Sequence, residues 1–100
     1  MSDTYETLKG KITAVAELTP KADKAEELLH IALQSREHGR NEEPGCLQFD
    51  VSKSGNQVIT HEIWENAEAL DNHRNWLRGV FGDPRTLVEN YVFKFYEPLD

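Results

Sequence analysis

Apolar positions along the chain switch between a period of two and a helical period, and the switches mark its elements. From Leu8 to Leu18 the alternation, rich in Ile, Val and Thr, predicts a strand with Ile12, Ala14 and Ala16 on one face and Gly10 at a bulge or close contact. Thr19-Pro20 reads as an N-cap followed by proline at the first helical position. Ala22, Ala25, Leu29, Ala32 and Leu33 then recur at helical spacing, with Glu26 and Glu27 left to solvent. His38-Gly39 fits the end of that helix. Pro44-Gly45 marks a turn, after which Cys46 to Val51 alternates with Leu47, Phe49 and Val51 on one face. Ser54-Gly55-Asn56 supplies hairpin turn residues, and Gln57 to Trp64 is the return strand. On it Val58, Thr60, Glu62 and Trp64 share one face, and Ile59, His61 and Ile63 share the other. Asn66 is an N-cap candidate for a second helix whose apolar face runs through Ala69, Leu70, His73, Trp76, Leu77, Val80 and Phe81. Asp83-Pro84 starts a short turn carrying Leu87 and Val88. Tyr91 to Tyr96 is a β-prone run that places Tyr91, Phe93 and Phe95 on one face, and Pro98 ends it.

The order is βαββαβ, an α+β chain of the split-βαβ or ferredoxin-like type. Two helices cover only one face of a four-stranded sheet, yet both faces carry apolar residues: Leu47, Phe49, Val51, Phe93 and Phe95 on some, Ile59, Ile63, Val92 and Tyr96 on others. A sheet apolar on both sides in so short a chain predicts a homodimer packed sheet to sheet.

Composition narrows this picture. The 100 residues suit one domain, with its core from about 8 to 98. A net charge of −7 argues against nucleic acid or an anionic membrane surface as partner. No apolar run approaches the ~20 residues that span a bilayer, and the polar start MSDTYET lacks a signal peptide's apolar region. One cysteine excludes an internal disulfide. The expected location is the cytoplasm.

Chemistry concentrates on the return strand and the second helix. A carboxylate at Glu62, between Val58 and Trp64, is costly to bury unless it is hydrogen-bonded or used. It is either a structural acceptor or a partly desolvated base. His73 has Leu70 and Leu77 a turn away and should point at the sheet. It is either a satisfied core histidine or an imidazole suited to taking a proton from a phenol or enol. Thr60 shares the face of Glu62 and could orient a hydroxyl or carbonyl, while Phe49 and Phe81 are wall candidates. Trp64 and Trp76 read most simply as core. Cys46 reads as a small buried hydrophobe, His61 as facing the dimer core, and His30 and His38 as solvated. No glycine-rich phosphate cradle or paired-cysteine motif is present, and His61-Glu62 does not open a zinc motif because Glu65 stands where its second histidine belongs. No cofactor and no metal are expected.

Glu43-Pro44-Gly45-Cys46-Leu47, Phe49-Asp50-Val51, Glu62-Ile63-Trp64, Glu68-Ala69-Leu70 and His73, in this order from about Lys11 to Pro98, resemble the antibiotic biosynthesis monooxygenase family. The resemblance implies a dimeric α+β barrel. It also implies an activity drawn from cofactor-free oxygenases of phenols and quinols, haem degraders or an isomerase-like branch. In such proteins the tryptophan matching Trp64 lines the pocket beside the sheet, so the resemblance makes Trp64, with Glu62 and His73, a catalytic candidate; Thr60, Phe49, Trp76 and Phe81 would contact substrate. Two departures stand out. Arg78 occupies the position where several members carry a second histidine, and the first strand has no asparagine of the kind haem degraders need, which disfavours haem.

The expectation is therefore a cofactor-independent monooxygenase that oxidises a small aromatic, quinol or polyketide-like substrate with dioxygen. An acid–base isomerase of a small carbonyl compound and a non-catalytic ligand-binding dimer are the rivals.

Overall fold

The computed structural model describes Tyr5 and residues 7–99, so most of MSDTYET lies outside the described residues. Its elements are β1 (Ile12–Pro20), α1 (Ala25–Glu42), β2 (Cys46–Ser54), β3 (Gln57–Trp64), α2 (Ala67–Phe81), a 3₁₀ turn η1 (Pro84–Leu87) and β4 (Val88–Tyr96). The strands form one antiparallel sheet in the order β2-β3-β1-β4. This is the βαββαβ ferredoxin-like arrangement.

Alternation puts Ile12, Ala14 and Ala16 of β1 on the helix-covered face, beside Val58, Thr60, Glu62 and Trp64 of β3. Trp64 and Ile12 are fully buried and anchor one cluster with Tyr5, Phe49 and Leu70; Leu28, Ala32, Val58 and Val88 form a second. The Gly55-Asn56 hairpin places Gly55 at φ 61°, the left-handed region that a side chain resists. Asn66 caps α2 by accepting from the Ala69 amide, as its residue type predicts.

Several boundaries differ from the sequence expectation. Thr19-Pro20 does not start a helix: both stay in β1, where pairing with β4 shifts register at that step and Pro20 is buried. Proline lacks an amide proton, so it suits a strand end beside a bulge as well as a helix start. α1 begins at Ala25 after Lys24, whose side chain makes no capping bond. Its buried stripe is Leu28, Ile31, Ala32, Ser35 and Gly39 rather than Ala22, Ala25, Leu29 and Leu33. The helix also runs through His38-Gly39 to Glu42, because Gly39 serves as a close contact and not as a stop. A Cβ there would lie 3.2 Å from Phe49 and 3.3 Å from Cys46 Sγ. Gly10 sits in a bend before β1, not within it. A bulge between Cys46 and Gln48 turns Leu47 outward, so Cys46, Phe49 and Val51 hold the inner face.

α1 packs along β2, whereas α2 meets the sheet chiefly at β3. Opposite α2, β1 contributes the small side chains of Ala14 and Ala16, with Leu18 further along the same face. Small side chains on a central strand beneath a helix that stands off it leave a space. That space is the site.

Candidate active site

The cavity between the sheet and the two helices has about 130 Å³ accessible to the centre of a water molecule. A dry cavity of roughly 150 Å³ is large enough to take benzene, so this one suits a single ring. Its walls are mostly apolar, from Leu18, Leu28, Leu70, Leu77, Phe93 and Phe95. Glu62 and His73 interrupt that lining.

Glu62 is set on β3 opposite Phe49 of β2 and Ala14 of β1. The Thr60 hydroxyl donates to its Oε2 at 2.9 Å, and the Trp64 indole N–H donates to its Oε1 at 2.9 Å. Because alternate residues of a strand share a face, the i−2 and i+2 neighbours hold the carboxylate in a fork. Two donated hydrogen bonds offset the hydration it gives up.

His73 projects from the middle of α2 and is only 3% exposed. Its Nδ1 lies 2.5 Å from Oε2 of Glu43, which sits in the turn before β2. An ionised carboxylate only accepts, so Nδ1–H donates and Nε2 is the nitrogen available to an occupant. His38 Nε2 approaches the same Glu43 oxygen at 3.5 Å, and the His38 ring stacks on Trp76 with centroids 3.7 Å apart. His38 is thus half-buried and partnered, not solvated; His30 is exposed. Edge contacts from Phe49 and a tilted contact from Trp64, centroids 5.5 and 4.8 Å away, fix the His73 ring further.

Gly45 lets this turn approach α2. A Cβ there would fall 2.5 Å from the Ala69 Cβ, closer than carbon atoms can sit, while the Gly45 carbonyl accepts from the Glu65 amide at 2.9 Å. Cys46 follows, half-buried, and burial together with the nearby Glu62 and Glu43 carboxylates pushes its thiol up to about 11. It is a packing residue.

Of the residues singled out in the sequence, Glu62, His73, Thr60 and Phe49 meet on the cavity wall. Trp64 does not. It is fully buried and does not line the cavity, where the resemblance implied a wall, and it reaches the site through its N–H. Trp76 and Phe81 line a separate shallow groove with His38 and Glu42, because the α2 stripe is wider than the face turned to the sheet. Glu43 was legible only as part of a turn motif; a carboxylate directly before a Pro-Gly turn was the available signal. Arg74, Arg78 and Arg85 also line the cavity and were missed as site residues. Their signal was the helical spacing of Arg74 and Arg78 beside His73. Among the described residues no group of three or more His, Cys, Asp or Glu is arranged to hold a metal ion. No helix among them is long and apolar enough to cross a membrane.

The antibiotic biosynthesis monooxygenase family model matches residues 11–76. Rv0793 from Mycobacterium tuberculosis is similar over 90% of this chain and 96% of its own, at 22% identity and a TM-score of 0.79. PA3566 from Pseudomonas aeruginosa is similar over 93% and 98%, at 25% identity and a TM-score of 0.76. A Caulobacter crescentus protein, provisionally named an antibiotic biosynthesis monooxygenase, aligns over 92% of both chains at 22% identity with a TM-score of 0.74. A search among curated proteins returns no match.

Proposed function

The chain belongs to the antibiotic biosynthesis monooxygenase family, and from that premise we propose that it is a cofactor-independent monooxygenase acting on a small phenol or quinol with dioxygen. One observation carries the reading: a carboxylate from a strand and an imidazole from a helix open onto the same mostly apolar cavity. Acid–base residues on two rigid elements, around a mostly apolar space, suit formation of an electron-rich anion.

In this scheme His73 Nε2 takes the hydroxyl proton of the substrate, and Glu43 on the Nδ1 side stabilises the resulting imidazolium. The substrate anion passes one electron to dioxygen, and the radical pair joins to form a carbon–oxygen bond. The His73 imidazolium returns its proton to the peroxide anion. Loss of hydroxide from the hydroperoxide, with the ring C–H proton joining it as water, breaks the O–O bond and leaves a new carbonyl. One oxygen atom ends in product and one in water, and the substrate supplies every electron. Glu62, held by Thr60 and Trp64, receives the carbon-bound proton released in the last step. Trp64 is a positioning residue here. The cavity volume favours a single ring over an extended polyketide.

The working unit is a homodimer. The sheet face away from the helices carries Val92 and Tyr96, 38% and 46% exposed, and half-buried Val15, Ile59 and Ile63, with His61 among them. A second sheet would cover them.

The test is an oxygen-electrode assay of chelator-treated protein against monocyclic phenols and quinols, alongside His73→Ala and Glu62→Gln. Uptake that survives chelation and drops roughly 10²-fold or more in each variant is the expected result. Turnover of a small carbonyl compound without uptake would make the protein an isomerase. No turnover of any kind would make it a binding dimer.

A further inference from the structure

The protein carries a net charge of −7, yet three arginines, Arg74, Arg78 and Arg85, line its cavity against two carboxylates, Glu62 and Asp83. These arginines are not equivalent. Arg85 is committed to Asp83, with Nε 3.0 Å and Nη2 2.7 Å from its carboxylate oxygens, and the pairing holds the Asp83 carboxyl down at about 2. Arg74 lies over aromatic faces, its guanidinium carbon 5.4, 5.6 and 5.9 Å from the ring centroids of Tyr5, Phe93 and Phe95. Arg78 is exposed at the cavity and has no side-chain hydrogen bond or ion pair among the described residues. Its donors are open at the rim, with the Asp83 carboxylate already paired to Arg85, whereas the Arg74 guanidinium is held against rings and beside the Tyr5 hydroxyl.

We infer that Arg78 is a specificity residue that binds the carboxylate of an aromatic substrate, whose hydroxyl end then reaches His73. The inference rests on the proposed use of this cavity for a phenol. The five residues from His73 to Arg78 rise about 7.5 Å and turn about 140° along α2. Buried His73 therefore faces into the cavity while exposed Arg78 borders it from the rim. A ring substituted at both ends has the length to reach from one to the other. The electrostatics set the direction. Glu62 repels a carboxylate from the inner end, and Arg78, reinforced by the charge of Arg74, attracts it to the other. The guanidinium fork matches a planar carboxylate in two parallel hydrogen bonds. Leu77, Phe93 and Phe95 line the wall along which the ring would lie.

The experiment is calorimetric titration of the full chain with para-hydroxybenzoate and with para-hydroxybenzamide, which share shape and hydroxyl but differ in charge. Wild type, Arg78→Gln and Arg78→Lys are compared at low and high salt. A charged hydrogen bond contributes roughly tenfold or more in affinity, so the acid should bind at least about tenfold tighter than the amide. Arg78→Gln should abolish that preference, Arg78→Lys should keep part of it, and salt should weaken it. Equal binding of acid and amide, a preference that survives Arg78→Gln, or no binding of either compound would overturn the inference. The readout needs no turnover. An acid preference without oxygen uptake would sink the oxygenase alone, whereas uptake with no acid preference would sink only the role of Arg78.

Discussion

Oε2 of Glu43 and Nδ1 of His73 lie 2.5 Å apart, joining the turn before β2 to the middle of α2 across the helix layer. The contact sets which imidazole nitrogen carries a proton, and so which one can act. Glu43→Gln keeps the size but replaces the anion with an amide. If His73 is the base, turnover should fall roughly 10²-fold with little change in KM, while the thermal midpoint moves less than it does in Glu43→Ala. Unchanged kcat in Glu43→Gln would remove His73 from the chemistry.

Gly45 should tolerate no side chain. Its backbone is not in the left-handed region, so the restriction is space: the added methyl would meet Ala69 at 2.5 Å. Gly45→Ala should destabilise the protein by about 1–3 kcal/mol through overpacking, measured by urea unfolding. The double change Gly45→Ala/Ala69→Gly should recover most of that loss. A fully stable single variant would show that the turn can move off α2.

The Cys46 thiol, pushed by burial up to about 11 from an ordinary 9.0, should be unreactive at neutral pH. Because its folded value lies above the unfolded one, its contribution to stability is fully present below pH 9.0 and is lost as pH rises towards 11. Thiolate absorbance of the native protein should therefore rise with a midpoint well above 9.0, and alkylation at pH 8 should be slow until denaturant is added. Rapid native-state alkylation at that pH would contradict the burial.

Val92 and Tyr96 present apolar surface on the sheet face opposite the helices. Val92→Glu places a carboxylate in the proposed interface, near Glu17 on the neighbouring strand. The expected outcome by light scattering is a shift from dimer to monomer, with secondary structure retained. A wild-type chain that is already monomeric would remove the sheet-to-sheet interface.

The sequence by itself determined the element order, the hairpin at Gly55-Asn56, the cap at Asn66 and the sharing of one strand face by Thr60, Glu62 and Trp64. Each follows from local chemistry: turn residues, a capping side chain, or the period of a strand. It also placed His73 on the inner face of its helix. Only tertiary structure decided the rest. Pro20 and Gly39 looked like helix punctuation, but one ends a strand at a bulge and the other accepts Phe49 against α1, roles that depend on a neighbour not yet placed. Trp64 became a buried donor rather than a wall, because the core closes over its ring and only its N–H reaches Glu62. Glu43 met His73 from 30 residues away, and three arginines met Glu62 across one small cavity, because folding brought the turn before β2 and the sheet against α2. Periodicity reports which way a side chain points, and packing decides what it meets.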